Sequence, residues 1–416
     1  MKRKKYPQFV YKRYSWRIKA GNLKIAFDFQ IEPGIQFRPE IIIKDIETSR
    51  LKKLGDKAIN NFVFHLGLME IPSYWKCTCS PKIVVKAGYL NQEQVNWWQD
   101  LIIKGMGQFF YENKINFKKQ NFLKICSRFN LEHFQTFKEK LKDRYLVPIG
   151  GGKDSIVTLE KLKKQRKKTN CFIVNPTKVA KNVLRVARIK KPIVVERKID
   201  PVLLRLNKKG YLNGHTPFTA VLSFLSVFCA VLFDYKNIAF SNEKSADEGN
   251  VRYLGSIINH QYSKSSEFEK KFKVYCQKYL VKNVNYFSHL RKYTELEISK
   301  MFSKYPKYFS VFSSCNVASK IGERWCFNCA KCLFVYTTLY PFLKRKQLLK
   351  IFGKDLFENK KLLPIMKALI GQGSQKPFEC VGTFKESRLA FNLSLKRAEK
   401  LPYLLQKFNE IRRIKR

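Results

Sequence analysis

From Tyr145 onward the chain alternates short apolar runs with stretches of helical period, and few folds accept that pattern. Tyr145-Leu-Val-Pro-Ile leads into a glycine turn, and 155–168 follows with Ile156, Leu159 and Leu162 at helical spacing. Cys171-Phe-Ile-Val, a helical stretch over 179–190 and Pro192-Ile-Val-Val-Glu repeat the alternation. Strands alternating with helices build βαβ units, hence an α/β fold with a parallel sheet covered on both faces. The uncharged stretch 216–233 and the strand-like 237–241 extend it. That stretch falls short of the about 20 apolar residues a membrane span needs. It begins at Thr216-Pro217 and carries Thr219, Ser223 and Ser226, so it reads as a helix buried on the sheet. No membrane span is expected. In such sheets ligands sit beyond the carboxyl ends of the strands. The glycine turn and the loop opening with Asn242-Glu243 belong there.

Residues 1–140 read as an N-terminal α+β domain. The stretch 23–29 alternates like a strand, 82–86 is strand-like, and 49–65 and 91–111 look helical. Cys77 and Cys79 have no second pair at ligand spacing and read as structural. A Lys- and Phe-rich zone over 113–142 marks the boundary. Residues 141–345 form the expected catalytic domain and 346–416 a mostly helical C-terminal region.

Hydrophobic residues at 45 % and aromatics at 14 % exclude a disordered polybasic chain. The 82 Lys and Arg against 32 Asp and Glu give a net charge of +50. Nucleic acid or an anionic surface would suit such a field. The basic residues are 61 Lys and 21 Arg, spread along the chain, which fits a composition bias better than a reading surface rich in Arg. The first twenty residues lack the apolar core of a secretory signal, so a cytoplasmic protein with reduced thiols is expected.

Two motifs carry chemistry. Gly150-Gly151-Gly152-Lys153-Asp154-Ser155 lies between the first strand and its helix. Glycines let backbone N–H groups approach an anion, the helix N-terminus adds its positive end, and Asp154 can hold a metal. The Walker A and G-x-G-x-x-G spacings are absent. The motif resembles the S-G-G-x-D-S signature of the PP-loop ATP pyrophosphatases, with Gly150 replacing Ser. That resemblance implies ATP cleaved between its α and β phosphates. The second motif is Cys326-Phe-Asn-Cys329-Ala-Lys-Cys332, with Cys315 as a fourth thiolate. Four closely spaced Cys suit a structural Zn²⁺, and an iron–sulfur cluster stays open.

A third stretch, from Asn242-Glu243 to Asn259-His260-Gln261-Tyr262-Ser263-Lys264-Ser265, is dense in acid, base and amide groups. His260, Tyr262 and Lys264 are candidate proton-transfer groups, and Glu243 can bind Mg²⁺ or an amine. Ser263 to Ser266 before Glu267 reads equally as a helix cap. His215 is a further candidate.

Together GGGKDS, NEKSADEGN, INHQYSKS, RWCFNCAKC and KPFECVGT resemble the UDP-N-acetyl-α-D-muramoyl-L-alanyl-L-glutamate epimerase family, over about residues 145–385. The resemblance implies an ATP- and Mg²⁺-dependent isomerase of peptidoglycan precursor synthesis. Its UDP-muramoyl dipeptide would be activated as an acyl-adenylate, with His260 the first choice of base. Two rivals stay open: a PP-loop enzyme of nucleotide or tRNA modification, similar to 7-cyano-7-deazaguanine synthase, and a nucleic-acid-binding protein favoured by charge alone.

Overall fold

The computed structural model describes residues 2–127, 134–319 and 321–414; residues 128–133, inside the zone read as a boundary, lie outside the described residues. The strands are β1 (Gln8–Lys19), β2 (Asn22–Glu32), β3 (Ile35–Phe37), β4 (Glu40–Ile43), β5 (Lys82–Val85), β6 (Lys124–Ser127), β7 (Tyr145–Pro148), β8 (Thr169–Val174), β9 (Ile193–Lys198), β10 (Asn237–Phe240), β11 (Val251–Tyr253), β12 (Ser256–Ile258) and β13 (Asn285–Ser288).

One sheet of eleven strands runs in the order β13-β10-β7-β8-β9-β4-β2-β1-β5-β6, with β3 on β2. β7, β8, β9, β10 and β13 are mutually parallel, as are β1, β5 and β6. Antiparallel pairs join the blocks: β9 with β4, β4 with β2, and β2 with β1. The two parallel blocks therefore point opposite ways, and the sheet crosses position 140 without a break. β11 and β12 form a separate hairpin. The fold is α/β with a mostly parallel mixed sheet.

In the β7–β13 block the order reverses between β7 and β10. Chain connections leave β7 in one direction for β8 and β9 and in the other for β10 and β13. A crevice opens at such a switch point because the flanking helices cover opposite faces of the sheet.

The alternation in β2 buries Leu23, Ile25, Phe27, Phe29 and Ile31 on one face. Against the sheet lies the helix Asp56–Trp75, buried almost throughout from Ile59 onward and packed on β1 and on the helix Phe218–Leu232. A helix apolar on every side belongs between layers. A second apolar core fills the other face, around the helix Ala330–Leu339, which touches Glu295–Phe302, Leu363–Leu369 and Phe384–Arg397. The C-terminal region is helical, as expected.

Differences from the sequence reading have local causes. The expected helix 49–65 breaks at Gly55, whose φ of 75° interrupts helical geometry, and continues to Trp75. The helix read at 155–168 is Lys153–Lys164, so Lys153 and Asp154 lie in its first turn. The apolar stretch 216–233 contains the buried helix Phe218–Leu232; among the described residues no helix is long and apolar enough to cross a membrane.

Candidate active site

β7 ends at Pro148, and Ile149 and three glycines turn the chain into the helix Lys153–Lys164. Gly151 has φ +94°, and a Cβ there would come within 2.7 Å of Val179 Cγ1. A Cβ on Gly152 would lie 3.1 Å from Ser314 Oγ, whereas one on Gly150 would meet nothing within 4 Å. Glycine keeps this turn tight and open on its outer side. Across the switch point β10 ends at Phe240, and Ser241, Asn242 and Glu243 follow. Between them lies a cleft of ≈ 310 Å³, with an apolar wall of Phe172, Phe218, Leu222 and Phe240. Ser241 Oγ and Ser314 Oγ are buried in its lining without a hydrogen-bond partner. Orphaned hydroxyls beside a helix N-terminus fit a ligand rich in oxygen acceptors.

Lys153, read as a nucleotide contact, is wholly buried and its ammonium is bonded to Asp154 and Glu295. Asp154 and Ser155 face the cleft. Burial works against the charge on Asp154, but the ammonium groups of Lys153, Lys331 and Lys264 hold its carboxyl below the ordinary range. Glu295 opens the helix Glu295–Phe302, and burial raises its pKa against the pull of Lys153. Its Oε1 has no partner.

Cys315, Cys326, Cys329 and Cys332 converge with all four sulfurs within 4.8 Å of one another. The Sγ···Sγ distances are 3.8 Å for Cys315–Cys329 and 3.9 Å for Cys326–Cys332. A Zn²⁺ tetrahedron with bonds of about 2.3 Å has edges of about 3.8 Å. The Ala318 and Cys332 N–H groups point at Cys315 and Cys329 sulfurs, at 3.3 and 3.4 Å. The four residues could hold a metal such as Zn²⁺, and the close sulfurs suit a single ion. The knuckle also aims Lys331, between two of the cysteines, into the cleft. Its N–H donates to Glu379 Oε2 at 2.9 Å, and its ammonium bonds the Cys380 carbonyl.

The loop after β10 brings some candidates together and separates others. Glu243 is buried in the cleft wall. Lys264 lines the same cleft and donates to Cys380 Sγ at 3.0 Å. Burial opposes the charge on Lys264, but Cys380, Glu243 and Asp154 raise its pKa, so it stays an ammonium. His260 is held by Gln108 Oε1 at 2.5 Å on Nδ1 and stands 4.4 Å, ring to ring, from His215. Burial and the charge of Lys264 lower its pKa to about 4. Burial, His260 and Lys76 lower His215 to about 3. Both imidazoles are neutral at pH 7. The Tyr262 hydroxyl instead donates to Asp100 at 3.2 Å, in an ion cluster with Lys104, Glu267 and Lys271. Ser265 caps the helix Ser266–Tyr279 through Phe268 N–H, so the cap reading of that serine holds.

The MurL N-terminal domain family matches residues 1–289, and the MurL C-terminal domain family matches 311–410. The chain is 35 % identical to the UDP-N-acetyl-α-D-muramoyl-L-alanyl-L-glutamate epimerase of a Micromonospora species, covering 92 % of this chain and 86 % of that one. It is 32 % identical to the enzyme so named in Salinispora tropica, covering 92 % and 84 %. The one from Xanthomonas oryzae pv. oryzae is also 32 % identical, over 80 % of this chain and 74 % of its own. The chain belongs to the UDP-N-acetyl-α-D-muramoyl-L-alanyl-L-glutamate epimerase family.

The five segments that resembled this epimerase family are scattered between residues 150 and 383, and each contributes a residue to the one cleft: Asp154, Glu243, Lys264, Lys331 and Cys380. Sequence reasoning missed Lys331, Cys380, Glu295, Ser241 and Ser314. A Lys among 61 and a Cys outside any spaced set carry no local signal. Only the fold brings them to the glycine turn.

Proposed function

We propose that this chain converts the terminal L-glutamate of UDP-N-acetylmuramoyl-L-alanyl-L-glutamate to D-glutamate, using ATP and releasing AMP and pyrophosphate. The observation that carries the reading is the convergence of the five segments on a switch-point cleft. The glycine turn, the helix N-terminus and the orphaned hydroxyls of Ser241 and Ser314 support a PP-loop-type ATP site within the catalytic region 141–345. Lys264 and Lys331 supply positive charge for an anionic substrate. Asp154 and Glu243 would hold Mg²⁺, a hard cation that takes carboxylate oxygens and neutralises phosphate charge.

The chemistry follows from acidity. The α-hydrogen of glutamate is a poor acid beside an ionised carboxylate. Attack of that carboxylate on the α-phosphorus of ATP forms an acyl-adenylate and expels pyrophosphate. The acyl-adenylate carries no carboxylate charge, and its α-hydrogen is more acidic. His260, a neutral imidazole, accepts the proton in this scheme; Tyr262, committed to Asp100, becomes the weaker choice. A proton returns on the other face, and water releases the glutamate carboxylate and AMP. With ATP and a nucleotide-activated precursor as its substrates, the proposed reaction belongs to the cytoplasm.

The test is incubation with ATP, Mg²⁺ and the L-glutamyl precursor, followed by chiral analysis of glutamate and assay of AMP. D-Glutamate accompanied by AMP supports the reading; glutamate left wholly in the L form, without AMP, sinks it. AMP formed only with added tRNA would indicate nucleotide modification instead. His260→Ala should cut D-glutamate by roughly 10²–10⁴-fold while adenylation continues. In deuterated water the L-glutamate recovered from this variant should carry almost no α-deuterium.

A further inference from the structure

Inversion at a carbon asks for two proton carriers. While the planar intermediate keeps one orientation, a single base that takes the α-proton from one face returns it to the same face and restores the starting epimer. His260 is not part of the cleft lining, but its ring lies 6.4 Å from that of Phe378, two residues before Cys380, so it borders the cleft and can serve one face; a second group is needed for the other. Lys264 cannot accept a proton, because its neighbours keep it an ammonium. Lys331 is bonded to the Cys380 carbonyl, and the Ser155 hydroxyl donates to the Gly152 carbonyl at 3.0 Å. The Asp154 carboxylate is bonded to Lys153 and held ionised by three ammonium groups, and Glu243, the other carboxylate of the cleft, is assigned with Asp154 to Mg²⁺ in the reaction proposed above.

Cys380 differs from all of these. Its sulfur lines the cleft, half-buried, with the Lys264 ammonium 3.0 Å away. The positive charge of that ammonium faces the negative charge that a proton transfer from the sulfur would leave. The backbone around it is clamped: the preceding Glu379 accepts from Lys331 N–H, and the Cys380 carbonyl accepts from the Lys331 ammonium. Lys331 is itself fixed between Cys329 and Cys332. The thiol is thus mounted on the four-cysteine knuckle, as a group that must meet one carbon atom needs to be. The charge of Lys264 bears on His260 as well, so one ammonium influences both carriers.

We infer that Cys380 is the second proton carrier of the epimerisation, serving the face of the α-carbon that His260 does not. The inference rests on the reaction proposed above. In the L-to-D direction His260 takes the α-proton and becomes imidazolium, and the C–H electron pair passes into the enolate of the acyl-adenylate. The Cys380 S–H then delivers its proton to the other face, the enolate pair forms the new C–H bond, and the thiolate remains beside Lys264. Solvent returns a proton to the sulfur and takes one from the imidazolium, so the cycle closes without an oxidant or reductant.

The test uses Cys380→Ala and Cys380→Ser in deuterated water with ATP, Mg²⁺ and the L-glutamyl precursor. Metal content and thermal unfolding are matched to wild type first, and Cys380→Ser keeps the size of the side chain. Pyrophosphate release should persist while D-glutamate falls by at least about 10²-fold. The L-glutamate recovered should gain α-deuterium, because His260 still removes and returns a proton on its own face. D-Glutamate within threefold of wild type in both variants would overturn the inference. So would loss of pyrophosphate release together with epimerisation, which would place Cys380 in activation. Wild-type protein that yields neither AMP nor D-glutamate would refute the proposed reaction itself, a different failure.

Discussion

Arg197 of β9 meets Glu70 of the helix Asp56–Trp75 through two bonds of 2.6 Å, and its Nη2 also reaches Ser73 Oγ at 2.9 Å. At the cleft, Lys153, Asp154 and Glu295 form a buried cluster in which one Glu295 oxygen has no partner. Glu70, Arg197, Lys153 and Glu295 are out of water, Asp154 opens onto the cleft, and only the first group is complete. The contrast extends beyond these residues. Of the thirteen unpartnered buried side-chain atoms among the described residues, one, Asn61 Oδ1, precedes β7. The rest lie in the half that carries the cleft, which also holds four thiol sulfurs clustered closely enough to share one metal. A buried polar group without a partner costs about 1–3 kcal/mol. The N-terminal block nearly completes its buried polar groups with its own side chains, whereas Ser241 Oγ and Ser314 Oγ in the cleft lining and Glu295 Oε1 behind it have no partner.

The comparison can be broken first at the knuckle. Cys329→Ser, or a strong chelator, should unfold the region around residues 311–339, since metal binding at such sites is worth roughly 10–16 kcal/mol in small peptides and is folding free energy. Protease cleavage confined to that region is the expected result; a variant as resistant as wild type, or pure protein free of zinc and iron, would contradict it. Next comes Asp154→Asn, which should lower pyrophosphate release by about 10²–10³-fold, the scale of losing a main electrostatic group. Its urea midpoint should stay close to wild type. Third, Glu70→Ala strands Arg197 and should cost about 3–5 kcal/mol in chemical denaturation. Activity per folded molecule should remain. Equal damage to activity by Glu70→Ala would erase the distinction between the halves.

The smallest effect concerns acid. His65 is buried between Asn61 and Tyr275, its Nδ1 at 2.8 Å from the Asn61 carbonyl and its Nε2 at 2.9 Å from the Tyr275 hydroxyl. Burial lowers its pKa from 6.5 to about 4, outweighing the Asn61 bond. Between those values the unfolded chain binds the proton and the folded chain does not. Stability therefore falls as pH drops from about 6.5 towards 4, by about 1.4 kcal/mol per pH unit from this residue. His65→Asn should flatten that slope in urea titrations at pH 7, 6 and 5. An unchanged slope would show that the N-terminal block does not set it.

Strands β7 to β10 were legible because each holds a short apolar run closed by a turn, and the helices between them show an apolar face; β13, Asn285-Tyr286-Phe287-Ser288, was not, because half of it is polar. β1 was not legible. Its pairing with β2 shifts register between Tyr11 and Arg13, which splits the strand into an apolar run, Phe9-Val10-Tyr11, and a stretch where Tyr14, Trp16 and Ile18 alternate with Arg13, Ser15, Arg17 and Lys19, so no single period covers it. The glycine turn and the four cysteines announced themselves because their chemistry needs close spacing in sequence. Lys153 misled because a lysine beside a phosphate-type loop suggests a phosphate contact; its burial answers to Glu295, 142 residues away. Tyr262 and Lys264 sit two apart yet face different surroundings, since the short 3-10 turn Tyr262–Lys264 rotates them apart. Family resemblance supplied what spacing could not, the grouping of five distant segments.

The antiparallel seam has a consequence for how the chain is made. Ile41, Ile42 and Ile43 of β4 pair with Arg197, Glu196 and Val195 of β9. β9 leaves the ribosome roughly 150 residues after β4, which at about 5–20 residues per second is on the order of 10–30 s. For that time the nascent N-terminal block carries an open, isoleucine-rich edge, the kind of template on which chains join one another. Translation speed across residues 44–198, rather than the stability of the finished enzyme, should then govern how much of it is recovered in folded form.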